Sequence, residues 1–359
     1  MRALLTLLTV ALAAGCVTAA PNPSPNGAPA APASGAEATA TSTAPLALAT
    51  GPLAPQTKGP VSIQALTRFK TVHVGPDGAE LDVLVRLKGD GAVPAERAPM
   101  DLVIVLDRSG SMRGDKLVAV KSAALKLLDR LGKDDRVTLI SYSDDVTVDA
   151  LGGPTGPSGR ALRDALMRVS AGGSTALGPA LFKAIEQLER GDRGEARMAH
   201  VMLLSDGLAN QGEQRPEVIG ARAAGGFRVG VSVSTLGVGL DYNEDLMTRV
   251  ADQGGGRYHF IKDSEAVAAV LNDEMNGLVA TVARGVELEL KGVQVIKAFG
   301  YPSDVVDGVT KVRVGALGAG QVREVVLRVK VPAGVAPSVA LGELAVNFRD
   351  ATAAGAPGR

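Results

Sequence analysis

Two stretches of this chain, residues 102–106 and 201–204, are apolar without interruption, and 229–238 is nearly so. A strand with one wet face alternates apolar and polar residues. A strand with no alternation has to be covered on both faces, as in a parallel sheet layered between helices. The intervening segments carry the helices such a sheet needs. Leu117, Val120, Ala124, Leu127, Leu128 and Leu131 recur at spacings of three and four and end at Gly132, and Leu177, Leu181, Ala184, Ile185 and Leu188 form a second stripe. Further helices are predicted over 162–169 and 243–253, the latter stopped by Gly254-Gly255-Gly256, and a long one running from a cap at Asp263 or Ser264 to about residue 282. Strands are expected at 137–142, at 258–261 and, as a short edge strand, at 146–151. Strand and helix in alternation predict an α/β fold, a doubly wound, mostly parallel sheet flanked by helices.

After Arg284 the period changes to two. Val286, Leu288 and Leu290 alternate with polar neighbours, as do Val312 and Val314, the run from Val322 to Val331, and Leu344, Val346 and Phe348. Leu81, Val83, Val85 and Leu87 do the same ahead of the central region. Half-buried antiparallel strands have this signature. The two flanks are therefore predicted to build one small antiparallel β-sandwich, from an N-terminal β segment at 61–98 and a C-terminal β domain at 283–350, around a central domain at 99–282.

The chain opens with Arg2, an apolar run from Ala3 to Ala14, and Gly15 before Cys16. That run is too short to span a bilayer and reads as a signal peptide over 1–16. The Ala-Gly-Cys ending resembles a bacterial lipobox, which implies lipidation of Cys16; the alternative is ordinary cleavage after Ala19. Residues 17–60 are Ala, Pro, Thr, Ser and Gly with almost no charge or bulk, a composition that cannot bury a core and is expected to act as a disordered tether. Residues 351–359 are expected to be a disordered tail. Together these features place the folded part outside the cell, lipid-anchored to a bacterial membrane, at the outer membrane or cell surface. Cys16 is the only cysteine of 359 residues, so an internal disulfide scaffold is excluded. Lys plus Arg and Asp plus Glu both total 38, which removes the long-range attraction that nucleic-acid binding needs. The lipid is the only expected contact with the membrane, and the oligomeric state is left open.

The chemistry concentrates at strand ends. Asp107-Arg108-Ser109-Gly110-Ser111 follows the first apolar run, Ser205-Asp206-Gly207 follows another, and Gly172-Gly173-Ser174-Thr175 opens a helix between them. Doubly wound sheets bind ligands beyond the carboxyl ends of their strands, where the strand order reverses. Carboxylate and hydroxyl oxygens without Cys or His suit a hard cation: magnesium, or manganese or calcium. Asp107, Ser109, Ser111 and Thr175 are the candidate ligands, with Asp206 binding directly or through water. Such a shell carries at most two negative charges, so the ion stays electrophilic. Asp144-Asp145 follows the second predicted strand and is expected to be a solvated loop; His73, His200 and His259 are expected to be core or surface residues. No catalytic Ser-His-Asp order, Cys-His pair, phosphate-binding glycine loop or zinc signature is present, and an enzyme is not expected.

The set Asp107-x-Ser109-x-Ser111, Thr175 and Asp206 resembles the metal-ion-dependent adhesion site of von Willebrand factor type A and integrin I domains. In those domains the open metal position accepts an Asp or Glu of a partner. The flanking segments, Arg97 to Val103, Asp135-Arg136-Val137 and Met202 to Gly207, are similar to bacterial proteins described as calcium-activated chloride channel homologues. The resemblance implies a cation-dependent module of the cell envelope that binds a protein ligand through an acidic residue. Two alternatives stay open: a structural envelope protein whose metal only stiffens loops, and an accessory subunit of an ATPase-type complex.

Overall fold

The computed structural model describes residues 3–4, 8–13, 56–67, 74–93, 97–191, 197–333 and 338–351. Cys16, His73, most of the expected tether and the tail beyond 351 lie outside them.

The central sheet is built from β1 (Met100–Asp107), β2 (Arg136–Tyr142), β3 (Val146–Gly152), β4 (Met198–Ser205), β5 (Val231–Val238) and β6 (Gly255–Ile261). Their order across the sheet is β6-β5-β4-β1-β2-β3, and only β3 runs antiparallel. Every residue of β1 is buried, as its uninterrupted apolar run requires. Helices cover both faces. α1 (Asp115–Asp129), α2 (Gly156–Arg168) and α6 (Val267–Val279) pack on one side through Leu117, Val120, Leu127, Leu162 and Leu271. α3 (Leu177–Arg190), α4 (Pro216–Arg228) and α5 (Glu244–Gln253) pack on the other through Leu181, Ile185, Ile219 and Val250. The chain leaves β1 for β2 in one direction and returns to β4 on the opposite side of β1. The switch point where the order reverses therefore lies between β1 and β4.

Several boundaries differ from the expectations. α2 begins at Gly156, before the predicted 162, because Gly156 takes φ +64° and Pro157 sets the first turn. α6 starts at Val267, not at a cap on Asp263 or Ser264. The Asp263 carboxylate instead accepts from the Ala266 N–H at 3.1 Å and closes a turn ahead of the helix. The same helix ends at Val279, so Thr281 and Val282 already belong to the strand Thr281–Lys291.

The flanks form two facing antiparallel sheets. One orders the strands Ser338–Asp350, Thr281–Lys291, Val309–Gly318 and Ser303–Val306; the other orders Gln294–Phe299, Val322–Val331, Ala79–Gly89, Val61–Thr67 and Gln56–Lys58. Val85 opposes Val325 in the second sheet and Leu288 opposes both Val312 and Val346 in the first, so the predicted alternating residues meet in one core. The strand Gln56–Lys58 and the turn after it fall inside the stretch expected as tether. Backbone strands at Ala3–Leu4 and Leu8–Ala13, within the expected signal peptide, run antiparallel to Ser338–Asp350.

A buried polar knot ties the bottom of the central sheet to α6. Glu274 on α6 accepts from Ser234 of β5 at 2.7 Å and from Arg257 Nε of β6 at 2.8 Å, with His259 Nε2 at 2.7 Å and His200 Nε2 of β4 at 3.3 Å. A carboxylate taken out of water demands such partners. His200 and His259 are thus core and near-core residues bound to a structural carboxylate.

Candidate functional site

The sheet brings all five candidate residues to the switch point. Asp107 is the last residue of β1, Asp206 follows the last residue of β4, and both are fully buried. Ser109 and Thr175 are buried as well, and Ser111 lies in the short 3-10 turn Gly110–Met112. The three loops are cross-braced by backbone bonds. Gly110 N–H donates to Gly173 O at 3.0 Å while Gly172 N–H donates to Arg108 O at 2.8 Å. Thr175 N–H donates to Asn210 Oδ1 at 2.8 Å while Asn210 N–H returns to Thr175 O at 3.2 Å. The loop after β1, the loop before α3 and the loop after β4 are therefore tied to one another.

Each site oxygen has a defined role in the hydrogen bonding. Ser111 Oγ donates to Asp206 Oδ1 at 2.7 Å. Its proton is then committed, so in the 3.0 Å Ser109–Ser111 contact Ser109 donates. Lone pairs of both hydroxyls remain for a cation. Asp107 Oδ1 accepts from Ser109 N–H at 2.8 Å, and its Oδ2 accepts from Ser205 Oγ at 2.7 Å and Tyr142 OH at 3.2 Å. Burial pushes the Asp107 carboxyl above the usual range against the pull of those bonds, and the neighbouring Asp206 charge adds to the rise. Burial, with Asp107 beside it, also raises Tyr142 well above an ordinary phenol, so Tyr142 stays a neutral donor.

The donor set fits a hard divalent cation. A Cβ built on Gly207 would lie 3.4 Å from Ser111 Oγ and 3.5 Å from Thr175 Oγ1, so the absence of a side chain at 207 leaves space in front of those hydroxyls. Asp107 is fully buried among the neutral donors Ser109 N–H, Ser205 and Tyr142, and a cation would relieve the electrostatic cost of its charge. Among the described residues no group of three or more His, Cys, Asp or Glu converges as a metal site, so any ion here depends on the hydroxyls. Asp107, Ser109, Ser111 and Thr175 are the oxygens available. Asp206 Oδ1 accepts from Ser111 Oγ and its Oδ2 from Lys116 Nζ at 2.6 Å, which leaves a lone pair on each oxygen for an ion or its bound water.

Four further residues shape the site. Tyr142, Ser205 and Lys116 escaped the sequence reading, although Ser205 precedes Asp206 directly and Tyr142 ends the strand registered beside β1, opposite Asp107. Asp144, read as a solvated loop residue, is exposed but also clasps the site: its carboxylate accepts from Ser174 N–H at 2.9 Å, and that backbone bond holds it below the usual carboxylate range. Gly173 sits at φ +83°, and any Cβ there would overlap the Asp144 carboxylate.

Residues 101–273 match the sequence model of the von Willebrand factor type A domain, from β1 through the middle of α6. The central sheet has that fold, extended by antiparallel sheets from the flanks. The protein YfbK of Escherichia coli is 31% identical over 214 residues, 59% of this chain and 36% of YfbK. Inter-alpha-trypsin inhibitor heavy chain H4 of Sus scrofa is 28% identical over 217 residues, 59% of this chain and 22% of the heavy chain. This chain thus spans well under half the length of these curated relatives. Among solved structures, a von Willebrand factor type A protein from Catenulispora acidiphila superposes with a TM-score of 0.66 at 20% identity, covering 82% of this chain and 70% of its own. Coverage of that extent takes in the sandwich as well as the central sheet.

Proposed function

We propose that this chain is a divalent-cation-dependent protein-binding module of the cell envelope, without enzymatic activity of its own. The observation that carries the reading is that the Ser111 and Thr175 hydroxyls border the side-chain-free space at Gly207, with Ser109 bonded to Ser111 and Asp107 bonded to Ser109 beside them, at the switch point of the sheet. A cation held there by one carboxylate and neutral hydroxyls keeps most of its charge. An Asp or Glu of a partner protein is the natural group to complete it. When bound, the ion supplies electrostatic attraction for that carboxylate; the chain's own residues fix its position.

The rim narrows the partner's chemistry. Leu208 and Leu240 are 57% and 78% exposed. Leu208 follows Gly207 directly, and Leu240 follows Gly239, where a Cβ would come within 3.3 Å of Lys116 Nζ. Two largely exposed apolar residues thus adjoin glycines that border the site, which suits an acidic residue set among apolar neighbours. In this reading lipidation of Cys16 holds the module at the membrane. Among the described residues no helix is long and apolar enough to cross a bilayer.

The test is capture from solubilised envelope on the immobilised full chain in magnesium, in chelator, and with Asp107→Ala. The reading expects the same partner in magnesium alone. Equal recovery in all three arms refutes it. A partner-free result with a magnesium-dependent rise in melting temperature would favour the purely structural role of the ion.

A further inference from the structure

Lys116 occupies an unfavourable place for a lysine. It lies in the first turn of α1, where unpaired N–H groups and the helix dipole concentrate positive charge, and the Gly114 cap supplies no side-chain acceptor. A cation there costs helix stability unless something else holds it. What holds it is Asp206: Nζ lies 2.6 Å from Oδ2, and the carboxylate is fully buried while the lysine is about one-third exposed. The loop after β5 confirms the close fit on the other side. Gly239 takes φ +85°, and a Cβ on it would lie 3.3 Å from Nζ and 3.5 Å from Cε. A local rule broken at one point and compensated by a fully buried partner marks a functional position.

We propose that Lys116 is a built-in counter-cation that divides the labour between the two carboxylates. It neutralises Asp206, so that Asp206 serves to orient Ser111 while Asp107, among the five candidate residues, is left as the carboxylate without a cationic partner. This rests on the metal reading given above. Without Lys116, two carboxylates would balance the formal charge of a divalent ion and weaken its pull on a third. With Lys116, the loaded site carries one net positive charge. The lysine therefore weakens the hold on the metal and strengthens the hold on a partner's carboxylate. It also stabilises the metal-free chain, because Asp206 never stands buried and unpaired.

Opposite signs make the proposal testable. In the full chain, Mn2+ affinity is measured by calorimetry, and acetate, as the carboxylate probe, by its effect on the water-proton relaxation of bound Mn2+. Lys116→Met keeps the length of the side chain and removes its charge. It should bind Mn2+ about tenfold tighter or more and acetate several-fold weaker. It should also melt lower than the parent in chelator, with the gap narrowing in saturating Mn2+. Lys116→Arg, which keeps the charge, should leave both affinities within a few-fold of the parent. Parallel changes in the two affinities, or unchanged Mn2+ affinity in folded Lys116→Met, would overturn the proposal while leaving the metal site standing. No Mn2+ binding by either protein would overturn the metal reading and this inference with it.

Discussion

Replacing Tyr142 by Phe removes one hydroxyl from a fully buried side chain and changes almost nothing else. That hydroxyl is shared between Asp107 Oδ2 at 3.2 Å and Leu204 O at 3.1 Å, both long for an O–H donor. A hydrogen bond to a charged acceptor contributes about 1.5–3 kcal/mol, and a stretched, shared one falls at or below the lower end. We therefore expect Tyr142→Phe to cost about 1–1.5 kcal/mol in the orientation of Asp107, close to a tenfold loss of Mg2+ or Mn2+ affinity at 1.4 kcal/mol per decade. Ser205 approaches the same oxygen at 2.7 Å. Ser205→Ala should lose about 2–3 kcal/mol, roughly 30- to 150-fold. Calorimetric titration of the parent and both variants checks the order. If Tyr142→Phe were the more damaging change, or if neither altered metal affinity, then Asp107 is not the ligand these hydroxyls position.

Three other expectations concern the buried knot, the loop before α3 and the N-terminus. Glu274 is held far below the usual glutamate range, since burial, the largest single influence and an upward one, is outweighed by the adjacent His200 and His259 rings and the Arg257 charge together. A depressed folded-state value stabilises the fold above the unfolded pKa of about 4.3, and the contribution is lost as the pH falls below it, because the unfolded chain then binds the extra proton. Thermal melts should show Glu274→Gln less stable at neutral pH and less sensitive to acid below about pH 4.5; an unchanged acid limb would count against the knot. Gly173→Ala forces a Cβ onto Asp144 at positive φ and should cost about 1–3 kcal/mol by denaturant titration, with a wild-type midpoint contradicting the clasp. Radiolabelled palmitate should mark the parent chain and not Cys16→Ala; label that survives the substitution rules out the anchor at that residue.

The layered fold was legible because burial on both faces erases polar alternation. That is a local property of 102–106 and 201–204, and the matching stripes of α1 and α3 are local as well. Four of the five candidate site residues, Asp107, Ser109, Ser111 and Asp206, were legible for a related reason, as they stand just after those strands, whereas Thr175 lies in the glycine-rich loop that opens α3. What the sequence hid depends on distance along the chain. Lys116 reaches Asp206 across 90 positions and Tyr142 reaches Asp107 across 35. Nothing near Lys116 distinguishes it from an exposed helical lysine until the loops after β4 and β5 are placed around it. Asp263 shows the limit of capping signals: the same carboxylate that would cap a helix can close the turn before it, and three residues moved the helix start. In the sandwich, the pairing of Ala79–Gly89 with Val322–Val331 is set by the intervening domain bringing its two ends together, which alternation alone does not reveal.

The proposed function depends on Asp107 and the hydroxyls of Ser109, Ser111 and Thr175 binding one divalent cation. Calorimetric titration of the metal-free full chain with Mg2+ and Mn2+, alongside Asp107→Asn, tests it most directly. The account expects one ion per chain in the parent and at least about a hundredfold loss of affinity in Asp107→Asn, with both proteins folded in chelator. No binding by the parent, or equal binding by the variant, would contradict it.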